Sequence, residues 1–228
     1  MAALEREVLP VVKQWHASEK DYGGRRFRFF QNGDVVLVCG GIGAQAARRA
    51  AEALIALFQP NRIYSAGFAG ALDPRLKVGE VVRPGRVVSA SDGSSVGIEG
   101  GEGVLVSFES VASPEQKAKL RDSFGAHFVD MEASAVARAA QARGAGFAAV
   151  KAISDEVDFE FPSMEQFVDS EGHFREGRFA WFAALRPWLW PQVLRLARNS
   201  KVASRALCGW LRDVSRESVA ETTQPHPS

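Results

Sequence analysis

The chain has 228 residues, 46% of them hydrophobic, and a formal net charge of +1 from 28 Lys and Arg against 27 Asp and Glu. That length fills one large α/β domain with a substantial core. The balanced charge excludes a molecule built as a whole to hold nucleic acid.

Residues 35–39 are a continuous apolar run, which predicts a buried parallel strand. The turn Gly40-Gly41-Ile42-Gly43 leads it into a helix over 44–58, ended by Pro60. Residues 62–66 predict a second strand, followed by the small-residue loop Gly67-Phe68-Ala69-Gly70. Strands follow near 81–82, 87–88 and 104–108, with a Gly- and Ser-rich surface loop over 91–103. Residues 114–124 predict a helix with a charged face, 130–142 an alanine-rich helix stopped by Gly144, and 147–153 a strand. Strands alternating with helices imply a three-layer α/β/α sandwich around a mostly parallel sheet. We assign this domain to residues 1–180. Over 186–216 seven basic residues face one acid, Asp213, and Arg195, Arg198, Arg205 and Arg212 recur at helical spacing. Residues 181–217 therefore read as a basic amphipathic helical extension, and 218–228 as a polar, disordered tail.

Cys39 lies in an apolar strand and Cys208 in a basic helix, which argues against a disulfide and for a reducing cytoplasm. His16, His127, His173 and His226 show no metal-ligand spacing. No secretory leader or membrane-spanning run is visible.

Two carboxylates carry the chemistry. Glu132 opens the alanine-rich helix, and Asp155 follows an apolar strand within Ser154-Asp155. Acids from separate elements can converge at one end of an α/β sheet. There one holds a sugar while the other protonates a leaving group, as cleavage through a cationic sugar requires. Each acid alone has a plainer explanation, Glu132 favouring a helix dipole and Asp155 capping a turn. Gly41-Ile42-Gly43-Ala44-Gln45-Ala46 also matches a dinucleotide fingerprint. The ribose-binding acid that fingerprint needs is missing, since the next strand ends Tyr64-Ser65-Ala66. The same glycines bring N–H groups and a helix N-terminus toward an anion or a polarised water.

Residues 41–82, GIGAQAARRAAEALIALFQPNRIYSAGFAGALDPRLKVGEVV, with VDMEASAVA and VKAISDEVD, resemble the nucleoside phosphorylase and nucleosidase superfamily. Ala3-Leu4-Glu5-Arg6-Glu7-Val8 resembles a segment of methylthioadenosine/adenosylhomocysteine nucleosidases. The resemblance implies that Asp155 donates a proton toward N7 of a purine, oriented by Ser154. It implies that Glu132 holds the ribose hydroxyls, that Met131 packs on the sugar, and that Glu7 takes a proton from the attacking water. Gly43 and Lys151 border the ligand. The substrate implied is a 5′-substituted adenosine, with no metal or organic cofactor, and the enzyme is a homodimer.

The departures matter. Phe68 stands where the family carries Ser or Thr, and Ser65 where phosphorylases carry an arginine, so water is favoured over phosphate as nucleophile. Lys151 replaces the nucleosidases' arginine and keeps its charge without the planar fork. Only Met1 and Ala2 precede the segment that matches Ala3–Val8, where the family has an apolar strand. Asp169-Ser170-Glu171-Gly172-His173-Phe174 and the basic tail resemble hopanoid-associated nucleosidases, thought to act on adenosylhopane. A helix over 186–216 would then touch a membrane peripherally, or pack its apolar face on protein. A phosphate-dependent purine nucleoside phosphorylase and a non-catalytic nucleoside-binding protein are the alternatives.

Overall fold

The computed structural model describes residues 1–160, 165–167 and 175–222. The 169–174 motif and the residues beyond 222 lie outside them. Helix α1 (Glu5–Val12) precedes an antiparallel meander of β1 (His16–Tyr22), β2 (Arg25–Asn32) and β3 (Val35–Val38). There follow α2 (Ala44–Phe58), β4 (Arg62–Ala71), β5 (Val81–Val82), β6 (Arg86–Ser89), β7 (Ser95–Gly97) and β8 (Val104–Ser107). Then come α3 (Pro114–Phe124), β9 (Phe128–Asp130), α4 (Ala133–Gln141), β10 (Gly146–Asp155), α5 (Glu176–Ala184) and α6 (Trp190–Thr222).

A seven-stranded sheet has the order β5-β10-β4-β9-β8-β6-β7. β10 pairs with β4 in parallel, as β8 does with β6 and β9. The β5–β10, β4–β9 and β6–β7 pairings are antiparallel. The sheet is thus more mixed than strand–helix alternation implies, because direction reverses at its centre between β4 and β9 and short edge strands β5 and β7 fold back on it.

The 35–39 run is a strand, but an antiparallel one, paired with β2 through Phe29↔Val38 and Phe30↔Leu37. Polar alternation hid β1 and β2 from a search for apolar runs. The parallel partner of β3 is the segment at Met1 and Ala2. Ala2 N–H donates to Val38 O, Gly40 N–H to Ala2 O, and Ala66 N–H to Met1 O, each at 2.9 Å. This short segment joins the meander to the main sheet, the work a longer strand ahead of α1 would do.

Successive side chains feed opposite faces, as the pleat requires. Phe29 and Val38 join Leu54 of α2 and Val136 of α4 on one face. Phe30 and Leu37 join Val8 and Val12 of α1, Val150 of β10 and Leu207 of α6 on the other. Ala203, Cys208 and Leu211 complete that packing, so the apolar face of the basic helix is core. Burying a side chain such as Leu207 stabilises by about 1.5–3 kcal/mol. The polar composition from Ser218 predicts an unstructured tail; the helix instead continues to Thr222, where no glycine or proline interrupts it. β4 also runs unbroken through Ala71, which places Gly67 and Gly70 inside a strand rather than in a loop.

Candidate active site

A cavity of about 740 Å³ opens among α1, the Gly43 turn, β4, the 109–112 segment, the β9–α4 junction, the end of β10 and α6. Glu7, Gly43, Phe68, Met131, Glu132, Ser154 and Asp155 all line it. Lys151 does not.

Glu132 is the N-cap residue of α4, yet its side chain makes no cap bond. Its Oε1 accepts from Gly43 N–H at 2.9 Å and its Oε2 from Met131 N–H at 3.2 Å. Gly43 has φ 93°, a conformation that suits glycine. The anion received by the glycine turn is therefore a carboxylate of the chain itself. The Gly43 N–H that a dinucleotide pyrophosphate would need is taken by Glu132, and β3 pairs with β2 in an antiparallel meander, both of which speak against a dinucleotide site.

Beneath Glu132 lies a buried network. Lys151 Nζ stands 2.8 Å from Asp130 Oδ2 and donates to Ser65 Oγ at 3.1 Å. Asp130 also accepts from Ser107 Oγ at 2.6 Å and from Ala133 N–H at 2.9 Å. Burial alone would lower the Lys151 pKa, but Asp130, Glu132 and Glu7 outweigh it and hold the ammonium charged. Lys151 thus acts from one layer behind the cavity wall. Ser65 leaves room for it where an arginine would not. The pKa of Glu132 is raised, by burial first and then by Asp130, against the pull of Lys151 and the two N–H donors.

Glu7 is 5% exposed, and its Oε2 has no hydrogen-bond partner among the described residues. Burial, then the charge of Glu132, pushes its pKa up to about 8. Helix α6 grips the same residue from behind: Ser204 Oγ donates to the Glu7 carbonyl at 2.8 Å. Asp155 sits at the end of β10, where Ser154 Oγ donates to its Oδ1 at 2.7 Å. The register against β4 shifts between Ile153 and Asp155, a local irregularity that re-aims side chains at the sheet end.

Sequence reasoning missed Asp130, Lys117 and the α6 contribution. Lys117, on α3, pairs with Asp155. Phe179, Val193, Leu196 and Ala197 give the cavity an apolar arm. Among the described residues no group of His, Cys, Asp and Glu is arranged to hold a metal ion, and no helix is long and apolar enough to cross a membrane.

Residues 1–114 and 97–176 match the model of the phosphorylase superfamily. A methylthioadenosine/S-adenosylhomocysteine nucleosidase of Staphylococcus aureus is 30% identical over 208 residues, 74% of this chain and 91% of the relative. The fold matches that of the Neisseria meningitidis methylthioadenosine/S-adenosylhomocysteine nucleosidase in complex with methylthio-immucillin-A, with TM-score 0.66 and 20% identity over 91% of this chain and 93% of that one. It also matches futalosine hydrolase of Helicobacter pylori, with TM-score 0.65 and 19% identity over 93% and 95%. With its carboxylate-lined cavity and this kinship, the chain belongs to the phosphorylase superfamily, and within it to the N-glycosyl hydrolases that act on nucleosides.

Proposed function

We propose that the protein hydrolyses the N-ribosidic bond of a 5′-substituted adenosine and releases adenine. The observation that carries this reading is a single cavity walled by Glu7, Glu132 and Asp155 from three separate elements. Asp155 protonates N7, so the base leaves neutral as the C1′–N9 electron pair passes to it. Such acid catalysis is typically worth about 10²–10⁴-fold. Glu132 accepts from the ribose hydroxyls and strengthens its hold as the sugar turns oxocarbenium-like. Water closes on C1′ and loses its proton to Glu7. Met131 and Phe68 supply the apolar walls around the sugar.

Water is favoured over phosphate. An incoming phosphate would face Glu7 and Glu132, while the Lys151 ammonium is engaged by Asp130 and Ser65. Phe68 offers no hydroxyl. The S. aureus relative is named for methylthioadenosine and S-adenosylhomocysteine; the apolar arm on α6 favours a long apolar 5′ group, of the adenosylhopane type.

Exposed apolar residues on α5, on the turn before α6 and at the start of α6 support peripheral membrane contact. Trp181, Trp188 and Leu194 are 70%, 68% and 69% exposed. Arg198, Lys201, Arg205 and Arg212 are exposed along α6, with no ion pair among the described residues. Exposed aromatic and cationic side chains suit an anionic headgroup layer. A homodimer would cover Val111, 47% exposed at the cavity edge. In this reading the enzyme works in the cytoplasm, at the membrane surface.

The test is adenine release from a panel of 5′-substituted adenosines, one with a long apolar group, with and without phosphate. Release without phosphate and a preference for the apolar substrate are expected. Release only with phosphate would overturn the choice of nucleophile, and no release would overturn the reading.

A further inference from the structure

Lys117 has no part in the steps above. It is 2% exposed, at an inward position of α3 shared with Leu120 and Phe124, where helical spacing calls for an apolar side chain. The other charged residues of that helix, Glu115, Lys119, Arg121 and Asp122, are exposed. A buried ammonium is costly unless it is paired and hydrogen-bonded. Here Nζ bonds to Asp155 Oδ2 and donates to the Glu156 carbonyl at 2.6 Å. Ser154 Oγ serves the other carboxylate oxygen. Both oxygens of Asp155 therefore already accept, and the donor facing Oδ2 is the Lys117 nitrogen. Lys117 itself lines the cavity, and its remaining N–H has no acceptor among the described residues.

We propose that Lys117 is the source of the proton that Asp155 hands to the leaving base, an inference that rests on the hydrolase reading above. Oδ2 of Asp155 takes a proton from Nζ, which is left as a neutral amine, and passes it to N7 as C1′–N9 breaks and its electron pair enters the purine. The attacking water forms the C1′–O bond and gives its proton to Glu7. Once adenine departs, that proton returns through solvent to Lys117, and the cycle consumes none. Lys117 thus acts through Asp155 as a positioning and proton-supplying residue.

Other charges face this pair. Glu156 lies 3.7 Å from Lys77 and 3.4 Å from Arg195, and Asp158 lies 3.7 Å from Arg195. Glu109 and Glu132 stand on the cavity wall with it. None of the cations among them bonds to Asp155.

The experiment compares the wild type with Lys117→Met and Lys117→Arg on methylthioadenosine and on the p-nitrophenyl glycoside of the same sugar, across pH. The nitrophenolate leaves without protonation. Methionine suits the inward position in volume and polarity, and turnover of the glycoside reports a correctly folded site. Lys117→Met is expected to lose about 10²-fold in kcat on the adenine nucleoside, with KM little changed and the glycoside spared. Lys117→Arg keeps the cation but no transferable proton, so it should be as slow as Lys117→Met. Equal losses on both substrates, full rescue by arginine, or no loss at all would each overturn the proposal alone. A wild type inactive on both substrates would overturn the hydrolase reading and this inference with it.

Discussion

The Asp155 carboxylate occupies space that Gly70 leaves empty: a Cβ on Gly70 would stand 2.8 Å from Asp155 Oδ2 and 3.2 Å from Val129 Cγ1. Gly67, on the same strand, does likewise for Glu7, whose Oε2 would meet a Cβ there at 3.2 Å. Both glycines serve close approach by a functional side chain. Gly70→Ala should swing Asp155 off Ser154 and Lys117, because the carboxylate is the movable partner in that clash. We expect a fall of about 10²-fold in kcat from misplacement of the acid, while the thermal midpoint moves by a few degrees. Steady-state kinetics beside a melting curve check this; an unchanged kcat would put the acid elsewhere. Asp155→Asn should abolish base release and leave nucleoside affinity largely intact.

Glu7 links stability to pH. Its pKa is ordinarily 4.5 and is pushed to about 8 in the fold. Between those values the unfolded chain has lost the proton while the folded chain keeps it. Stability therefore falls as pH rises from about 4.5 through 8. Glu7→Gln removes the titration, so it should be more stable than the wild type at alkaline pH by about 2 kcal/mol or more, with the gap closing in acid. Urea denaturation at several pH values reads this directly. The same group sets an expectation for catalysis: as a base it must be ionised, so kcat/KM should rise with pH through about 8. A flat profile would remove Glu7 from that role.

Lys151 is the counter-charge beneath the site. Lys151→Met would leave Asp130 buried and unpaired below Glu132. Breaking a buried pair from one side costs about 3–5 kcal/mol. The double variant Lys151→Met with Asp130→Asn should recover part of that loss, because no lone charge then remains. Chemical denaturation of the two single variants and the double variant forms the cycle that tests it.

Glu132, Asp155, Ser154 and Glu7 were legible because each sits in a short ordered motif whose neighbours repeat the superfamily pattern. The buried strands β4 and β10 were legible as apolar runs. The meander was not: β1 and β2 carry alternating charges, and only Phe27, Phe29 and Phe30 enter the core. Lys117 was illegible as a site residue because a lysine in a charged helix ordinarily faces water. Only the packing of α3 against β8 and the end of β10 shows it inside. The basic, amphipathic character of α6 is visible in its sequence, but amphipathicity cannot tell a core from a membrane as the cover for an apolar face.

The two sides of α6 differ. Its inner face, through Leu207 and Ser204, supports α1 and holds the Glu7 carbonyl. Leu207→Ala is expected to cost about 2–4 kcal/mol and to lower kcat as well, because Glu7 loses its backing. Deleting the helix would therefore confound folding with binding. The outer face must be tested by point variants. Replacing Trp188 and Trp190 with serine should reduce co-sedimentation with anionic vesicles about tenfold, given the contribution of interfacial aromatic anchors. Hydrolysis of a short, soluble substrate should stay unchanged. Added salt should weaken the wild type's sedimentation too, as expected of Arg198, Lys201, Arg205 and Arg212 drawn to headgroup charge within a screening length. Equal sedimentation of the wild type and the double variant would show that these tryptophans cover something other than a bilayer, and a second copy of the chain would then be the occupant to seek by sedimentation velocity.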